Sequence, residues 1–472
     1  MLLNIFLVYK SSENKTLENV KLKEVEKIPK SLAIMLEKEN EDGTYSYIES
    51  DTNSWPDDLV INYDKSGCID TNGQIIEDSL TYNFETKIAT VETGVTTKCY
   101  LYFDIDKTFA IYSETDNSLR FYNNNDYKTI ESKETYNDLA VTSVYKNFIN
   151  EKFTSISTDN GHTYEIDTPW FEKVDLITSI FVEDTITAID TSNWFNSLKN
   201  VSYIDVNKLD VSNVNDMQFM FTFLGYNCKE FIIDGLEEWK TSNLTNMHTM
   251  FNSMGYNSEK FEIDLSNWDT SNVISMRNAF GSSGYNSKKW SIGDLSKWNT
   301  SKVETMLYMF HYAAYNAESI NLDLSNWDTS NVINMGAIFL CFGVNAKELY
   351  IGNLSNWNTE NVTDMSALFY DLGRNANSFD IGNLDGWNTS NVTNMSQMFN
   401  TAGRYSTYWN IGDISNWDVS KVTNMHRLFY YAGEKATNWS LNLSKWNIYN
   451  VKAYTEFMEG TGTKITPPNW VN

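Results

Sequence analysis

One phrase recurs through the second half of the chain and constrains its fold more than any other feature. DLSNWDTSNVISMRNAF at 264–280 returns as DLSKWNTSKVETMLYMF at 294–310, DLSNWDTSNVINMGAIF at 323–339 and NLSNWNTENVTDMSALF at 353–369. It continues as NLDGWNTSNVTNMSQMF at 383–399 and DISNWDVSKVTNMHRLF at 413–429, with looser copies at 206–221, 235–251 and 442–458, making nine coils. The column Leu209, Trp239, Trp268, Trp298, Trp327, Trp357, Trp387, Trp417 and Trp446 advances by 29 or 30 residues. Each 30-residue step contains an extra glycine (Gly235, Gly293, Gly352, Gly382, Gly412), which predicts a one-residue bulge at a conformation glycine tolerates. A unit this short cannot bury both of its faces alone, so the coils must stack and share a core.

Within a coil, Phe261, Ile263 and Leu265 alternate with Glu262 and Asp264, the period of a short half-buried strand. After the tryptophan, Thr270 or Ser271 reads as the N-cap of a short helix, with Val273, Met276 and Phe280 at i, i+3 and i+7 on one face. The expected fold is therefore an α/β solenoid, leucine-rich-repeat-like, with one short strand and one short helix per 29–30-residue coil, preceded by a mainly-β N-terminal domain. Strands stack about 4.8 Å apart and helices need roughly 10 Å, so such an array is expected to curve with its strands on the concave side. The five prolines (Pro29, Pro56, Pro169, Pro467, Pro468) all lie outside the coils, where each would remove a backbone donor.

The pattern W-[DN]-T-S-N-V-x-x-M-x-x-M-F with a preceding L-S resembles the BspA-like leucine-rich repeat of bacterial surface proteins, over residues 168–460. The segment TPWFEKVDLITSIFVEDTITAIDTSNWFNSLKNVSYIDV at 168–206 looks like the capping coil that opens such arrays. These coils are longer than the family's usual ones, through a G-Y-N-S-K-like extension. The resemblance implies adhesion or ligand binding without enzymatic activity, and supplies no binding residue.

Upstream the tryptophan and methionine columns vanish. Residues 1–40 read as an N-terminal arm or docking segment, with an arm or a helix around KLKEVEKIPKSLAIMLEKENED; 41–113 read as a small all-β domain, with turns at Asp42-Gly43, Ser66-Gly67, Asn72-Gly73 and Thr93-Gly94. Residues 114–165 read as a linker or second β region, 166–200 as the solenoid N-cap, 201–460 as the repeat solenoid and 461–472 as a C-cap or tail. The start, MLLNIFLVYKSSENK, has no basic residue before its apolar run and reads poorly as a signal peptide. Small β domains followed by such coils look similar to modules in structural proteins of phages infecting low-GC bacteria.

Charge narrows the functions. Lys plus Arg number 36 against 62 Asp plus Glu, a net −26 that repels nucleic-acid backbones and anionic lipid surfaces. The cysteines Cys68, Cys99, Cys228 and Cys341 have no short spacing, so neither a disulfide scaffold nor a zinc knuckle is indicated. The histidines His162, His248, His311 and His426 do not cluster, and the methionine column has core spacing. The ladder Asp264, Asp294, Asp323, Asn353, Asn383, Asp413, Asn442 and its counterpart from Asp269 to Asp418 swap Asp for Asn freely. That suits turn capping, with calcium the lesser alternative and catalysis a distant third. No catalytic or cofactor motif is present, so no enzyme and no cofactor are expected.

Two surfaces remain as candidates. The outward strand column Ile232, Glu262, Ser291, Asn321, Tyr350, Asp380, Asn410, Ser440 forms a polar groove, with Ser266, Ser296, Ser325, Ser355 and Asp385 further along. The loop column Tyr226, Tyr256, Tyr285, Tyr315 changes abruptly to Val344, Arg374, Arg404, Glu434; each tyrosine either covers its neighbour's loop or offers aromatic contact area for sugars or proteins. The expected function is a non-enzymatic binding protein, foremost a phage virion surface component (fibre, tail or head decoration) whose solenoid recognises a host-surface glycan or protein while residues 1–165 dock on the virion. The alternatives are a bacterial cell-surface adhesin and a purely structural virion decoration protein. No nucleic acid and no membrane insertion are expected, and a homo-oligomer would multiply weak sites by avidity.

Overall fold

Each coil spends a three-residue strand on its neighbours. Lys260–Glu262, Lys289–Ser291, Ser319–Asn321 and Glu348–Tyr350 pair in parallel, one coil after the next, and Ser378–Asp380 pairs likewise with Tyr408–Asn410. The middle residue points inward, as Phe261, Trp290, Ile320, Phe379 and Trp409 do, while both flanking residues face out. This computed structural model describes residues 6–9, 18–21, 32–40, 45–49, 59–61, 66–69, 74–76, 80–83, 88–91, 99–149, 151–157 and 164–470. They fall into two units, one of residues 1–108 with 123–127 and one of 109–122 with 128–472.

The tryptophan column holds the array in register. Each indole is nearly buried and donates to a carbonyl of the preceding coil: Trp268 to Leu236 at 2.8 Å, Trp298 to Leu265 at 3.0 Å, Trp327 to Leu295 at 3.1 Å, Trp417 to Leu384 at 2.9 Å. An aliphatic side chain could fill the space but could not supply the donor. The five extra glycines all have left-handed φ, from +74° to +103°. A Cβ on Gly382 would lie 1.9 Å from Asn353 Oδ1, so the longer coils require glycine there on both counts.

The expected helix is absent. Among the described residues there is no α-helix, only 3-10 turns of three or four residues. The segment after Val273 is a ribbon of turns in which Met276, Asn278, Phe280 and Ser282 donate backbone N–H to Thr305, Leu307, Met309 and His311 of the next coil, at 2.7–3.1 Å. The intervening Ala279, Gly281 and Ser283 donate three residues back. Asn278 and Ser282 are left-handed, and the equivalent pairs recur as Tyr308 and Tyr312, Ala337 and Cys341, Ala367 and Asp371. Thr270 is no helix cap: its hydroxyl donates to the Asn299 carbonyl of the next coil at 3.0 Å. Val273, Met276 and Phe280 are buried as the spacing demands, since one apolar face suits either backbone.

The premise for curvature falls with the helix. On the turn side the phenylalanine rings stack at 5.3 Å between Phe251 and Phe280 and 5.9 Å between Phe339 and Phe369, close to strand spacing. The architecture is a β-rich repeat array hydrogen-bonded coil to coil on both sides.

Both ends of the array are covered. The sheet order Ser143–Lys146, Thr108–Ser113, Ser118–Asn123, Ser179–Val182, Tyr203–Asp205, Ile232–Asp234 runs from the upstream strands straight into the coils. Ser118–Asn123 pairs in parallel with Ser179–Val182, so much of the stretch read as a linker, 114–165, belongs to the array's cap. Phe121, Phe148, Trp170, Trp194 and Phe195 pack edge to face and stacked beneath it. At the far end Leu441–Asn442 pairs with Ile465–Thr466, and Trp470 stacks on Tyr454 at 4.2 Å.

Among the described residues the first unit holds two sheets, ordered Glu18–Lys21, Phe6–Tyr9, Ile88–Val91, Leu80–Asn83 and Tyr45–Glu49, Leu32–Glu39, Cys99–Ile105, Gly67–Ile69, Ile75–Ile76, with Leu59–Ile61 also on Cys99–Ile105. The described segments of residues 1–40 belong to sheets rather than to an arm: Phe6–Tyr9 pairs with Ile88–Val91 and Leu32–Glu39 with Cys99–Ile105. The arm-or-helix reading fails over 32–39, which is a strand; residues 22–31 and the turns at Asp42-Gly43, Asn72-Gly73 and Thr93-Gly94 lie outside the described residues, as does His162. A disulfide joins Cys68 and Cys99, a pairing their spacing did not suggest. Cys228 and Cys341 are free thiols.

Candidate functional site

The acid ladder closes turns. Asp264, Asp294, Asp323, Asn353, Asn383, Asp413 and Asn442 each accept the backbone N–H two residues on, at 2.9–3.2 Å, and so do Asp269, Asn299, Asp328, Asn358, Asn388 and Asp418. Asn serves as well as Asp because only an acceptor is needed. These bonds hold the Asp269, Asp294, Asp413 and Asp418 carboxyls below the usual range. Ser266, Ser296, Ser325, Ser355 and Asp385 are the donors to this ladder, so the second half of the expected groove is a turn rather than a strand face. Among the described residues no group of three or more His, Cys, Asp or Glu could hold a metal ion.

The tyrosine column is real and mostly self-satisfied. Tyr226, Tyr256, Tyr285 and Tyr315 stack ring on ring at 4.6–4.7 Å with interplanar angles of 5–19°. All four are half-buried, and burial, then the neighbouring phenols, pushes Tyr256 up to about 12. The two inner rings, Tyr256 and Tyr285, have a stacked neighbour on each face. Beside them runs an amide ladder in which Asn286, Asn316, Asn345 and Asn375 each donate to the asparagine one coil back at 2.7–2.9 Å. The G-Y-N extension is thus a stacking device. The column's later members make ion pairs, Arg374 with Asp371 at 3.6 Å and Arg404 with Glu434 at 2.7 Å, while Val344 is buried.

The strand face divides in two. Glu262 lies between Lys260 at 2.5 Å and Lys289 at 3.5 Å; the hydrogen bond from Lys260 keeps its carboxyl low. Asn321 is exposed, and Tyr350 is 47% exposed. Asp380 and Asn410 stand in register on adjacent strands, Asn410 donating to Asp380 at 2.9 Å and each accepting the N–H of its own bulge glycine, Gly382 or Gly412. The structure thus brings Tyr350, Asp380 and Asn410 onto consecutive coils and keeps them apart from the tyrosine stack and from Glu262. The sequence reading missed the other outward column, Lys260, Lys289, Ser319, Glu348, Ser378, Tyr408, although counting back two residues along the same alternation reaches it.

Three overlapping stretches, 189–291, 256–347 and 340–470, match one protein family, and together they cover more than half of the chain. No curated protein and no solved structure matches. The matched stretches coincide with the repeat array and its opening turn, and on that coverage the chain belongs to the family described as Mycoplasma protein of unknown function, DUF285.

Proposed function

We propose that this protein is a non-enzymatic recognition protein whose BspA-like array binds a ligand through its outward strand face. The observation that carries this reading is the contrast between columns. Inward positions repeat Trp, Val, Met and Phe with little change, whereas the outward column runs Ile232, Glu262, Ser291, Asn321, Tyr350, Asp380, Asn410, Ser440. A stacked scaffold needs the first set alone, and variable groups on a regular frame are what selective contact requires. The repeated Asx turns leave no carboxylate pair singled out for acid–base work, so the reading assigns no catalytic step.

The protein acts, on this reading, at an exterior surface, and the leading placement is a virion component that meets a host. The Cys68–Cys99 disulfide favours the second placement, a secreted bacterial adhesin, because such bonds persist where folding is oxidative. Incubating full-length protein with host envelopes tests the function: saturable binding without release of sugars or peptides is expected, and absence of any binding overturns it. Antibody labelling of intact cells and of particles separates the two placements.

A further inference from the structure

The strand face changes chemistry along the array. From Lys260 to Ser291 it is charged and paired, with Glu262 held by two lysines. From Glu348 to Asn410 three consecutive coils present six outward side chains: Glu348 and Tyr350, Ser378 and Asp380, Tyr408 and Asn410. None is a cation. The adjacent Lys347 turns back to donate to the Asn375 carbonyl at 3.2 Å.

Tyr350 and Tyr408 occupy opposite corners of this patch and are 47% and 44% exposed. Two strand spacings and one two-residue step put their Cα atoms roughly 12 Å apart. Neither ring belongs to the stacked column Tyr226, Tyr256, Tyr285 and Tyr315, and close to half of each side chain is exposed to a planar partner. Between them Asn410 donates to Asp380 at 2.9 Å, which locks both side chains while leaving the second carboxylate oxygen and one amide N–H to face outward. Ser378 adds a hydroxyl on the same surface.

The charge selects the occupant. Two carboxylates without a cation repel phosphate, sulfate and uronate groups, as does the net charge of −26. Hydroxyl-rich neutral chains meet the opposite balance: their apolar ring faces stack on tyrosine, and their hydroxyls bond to fixed Asp and Asn groups. We propose that the strand face from Glu348 to Asn410 is a binding site for a neutral, extended glycan, with Tyr350 and Tyr408 as stacking platforms and the Asp380–Asn410 pair as the hydrogen-bonding bridge. This rests on the recognition reading above and names its ligand class and site.

Titration calorimetry of the full chain with cellohexaose and with N-acetylchitohexaose, and with a heparin oligosaccharide as anionic comparator, tests it. Binding of a neutral hexasaccharide is expected, weakened about tenfold by Tyr350→Ala or Tyr408→Ala and largely kept by Tyr→Phe at either position. Tyr350 and Tyr408 are exposed, so matching thermal melts confirm that the variants fold, and Tyr285→Ala provides a variant outside the patch that retains binding. Neutral glycan binding that ignores both Tyr→Ala changes, or preference for the heparin oligosaccharide, overturns the site. Binding to envelope protein with no neutral glycan bound overturns the glycan inference and leaves recognition standing; binding to nothing overturns both.

Discussion

At the scale of single residues, the array is built from groups that each complete a neighbour. Trp327 is 3% exposed and donates to Leu295 at 3.1 Å, so Trp327→Phe removes ring volume and one of the two hydrogen bonds that this carbonyl accepts, the other coming from the Trp298 N–H. A loss of about 2–3 kcal/mol is expected in urea unfolding. Backbone conformation gives a sharper test. Ala367 has φ +53°, and Ala314 has φ +49° in a column otherwise held by Gly225, Gly255, Gly284, Gly343, Gly373, Gly403 and Gly433. Ala367→Gly and Ala314→Gly should each stabilise by about 1 kcal/mol, whereas a helix at Ala367 would lose about as much on the same change. Acid sensitivity also has a local source. Burial pushes His311 down to about 4 from 6.5, so the unfolded chain takes up a proton first and stability falls as pH drops from 6.5 toward 4. His311→Leu should flatten that slope in urea midpoints measured at about pH 7 and about pH 5. Of the candidate binding residues, the sequence located Tyr350, Asp380 and Asn410 on one face through simple alternation. It could not tell that Tyr226, Tyr256, Tyr285 and Tyr315 consume one another's ring faces, because stacking depends on side-chain direction across coils.

At the scale of elements, the strand was legible and the turn ribbon, read as a helix, was not. Phe261 between Lys260 and Glu262 carries its strand in the alternation itself. Val273, Met276 and Phe280 carry only a buried edge, and a turn ribbon with left-handed residues at Asn278 and Ser282 buries the same edge. What decides between them is where the N–H groups go, and in this array every second one reaches the next coil. Two consequences can be measured. Far-UV circular dichroism of the full chain should lack helical minima. In hydrogen exchange, the amides of Met306, Tyr308, Phe310 and Tyr312, which bond between coils, should report the opening of the neighbouring coil.

At the scale of the whole molecule, the two units should respond separately to reduction. Cys68 and Cys99 are 31 residues apart and both lie in the first unit. Replacing both by alanine should destabilise that unit by about 3–4 kcal/mol while the array's thermal transition stays in place. A calorimetric scan of the full chain shows whether one transition moves or two. The array's covered ends have a second consequence: Trp470→Ala exposes the Tyr454 ring and the last coil, and fraying should start there rather than in mid-array.

The sequence alone determined the repeat, its 29–30-residue pitch, the core columns and the need for glycine in the longer coils, because each follows from spacing along one chain. Tertiary structure decided the rest. Whether an apolar edge became helix or turn, which tyrosines stayed open, and that Cys68 meets Cys99 all depend on a partner one coil or one sheet away. A backbone hydrogen bond between coils leaves no periodic mark in the sequence, since every residue carries the acceptor and every residue except proline the donor.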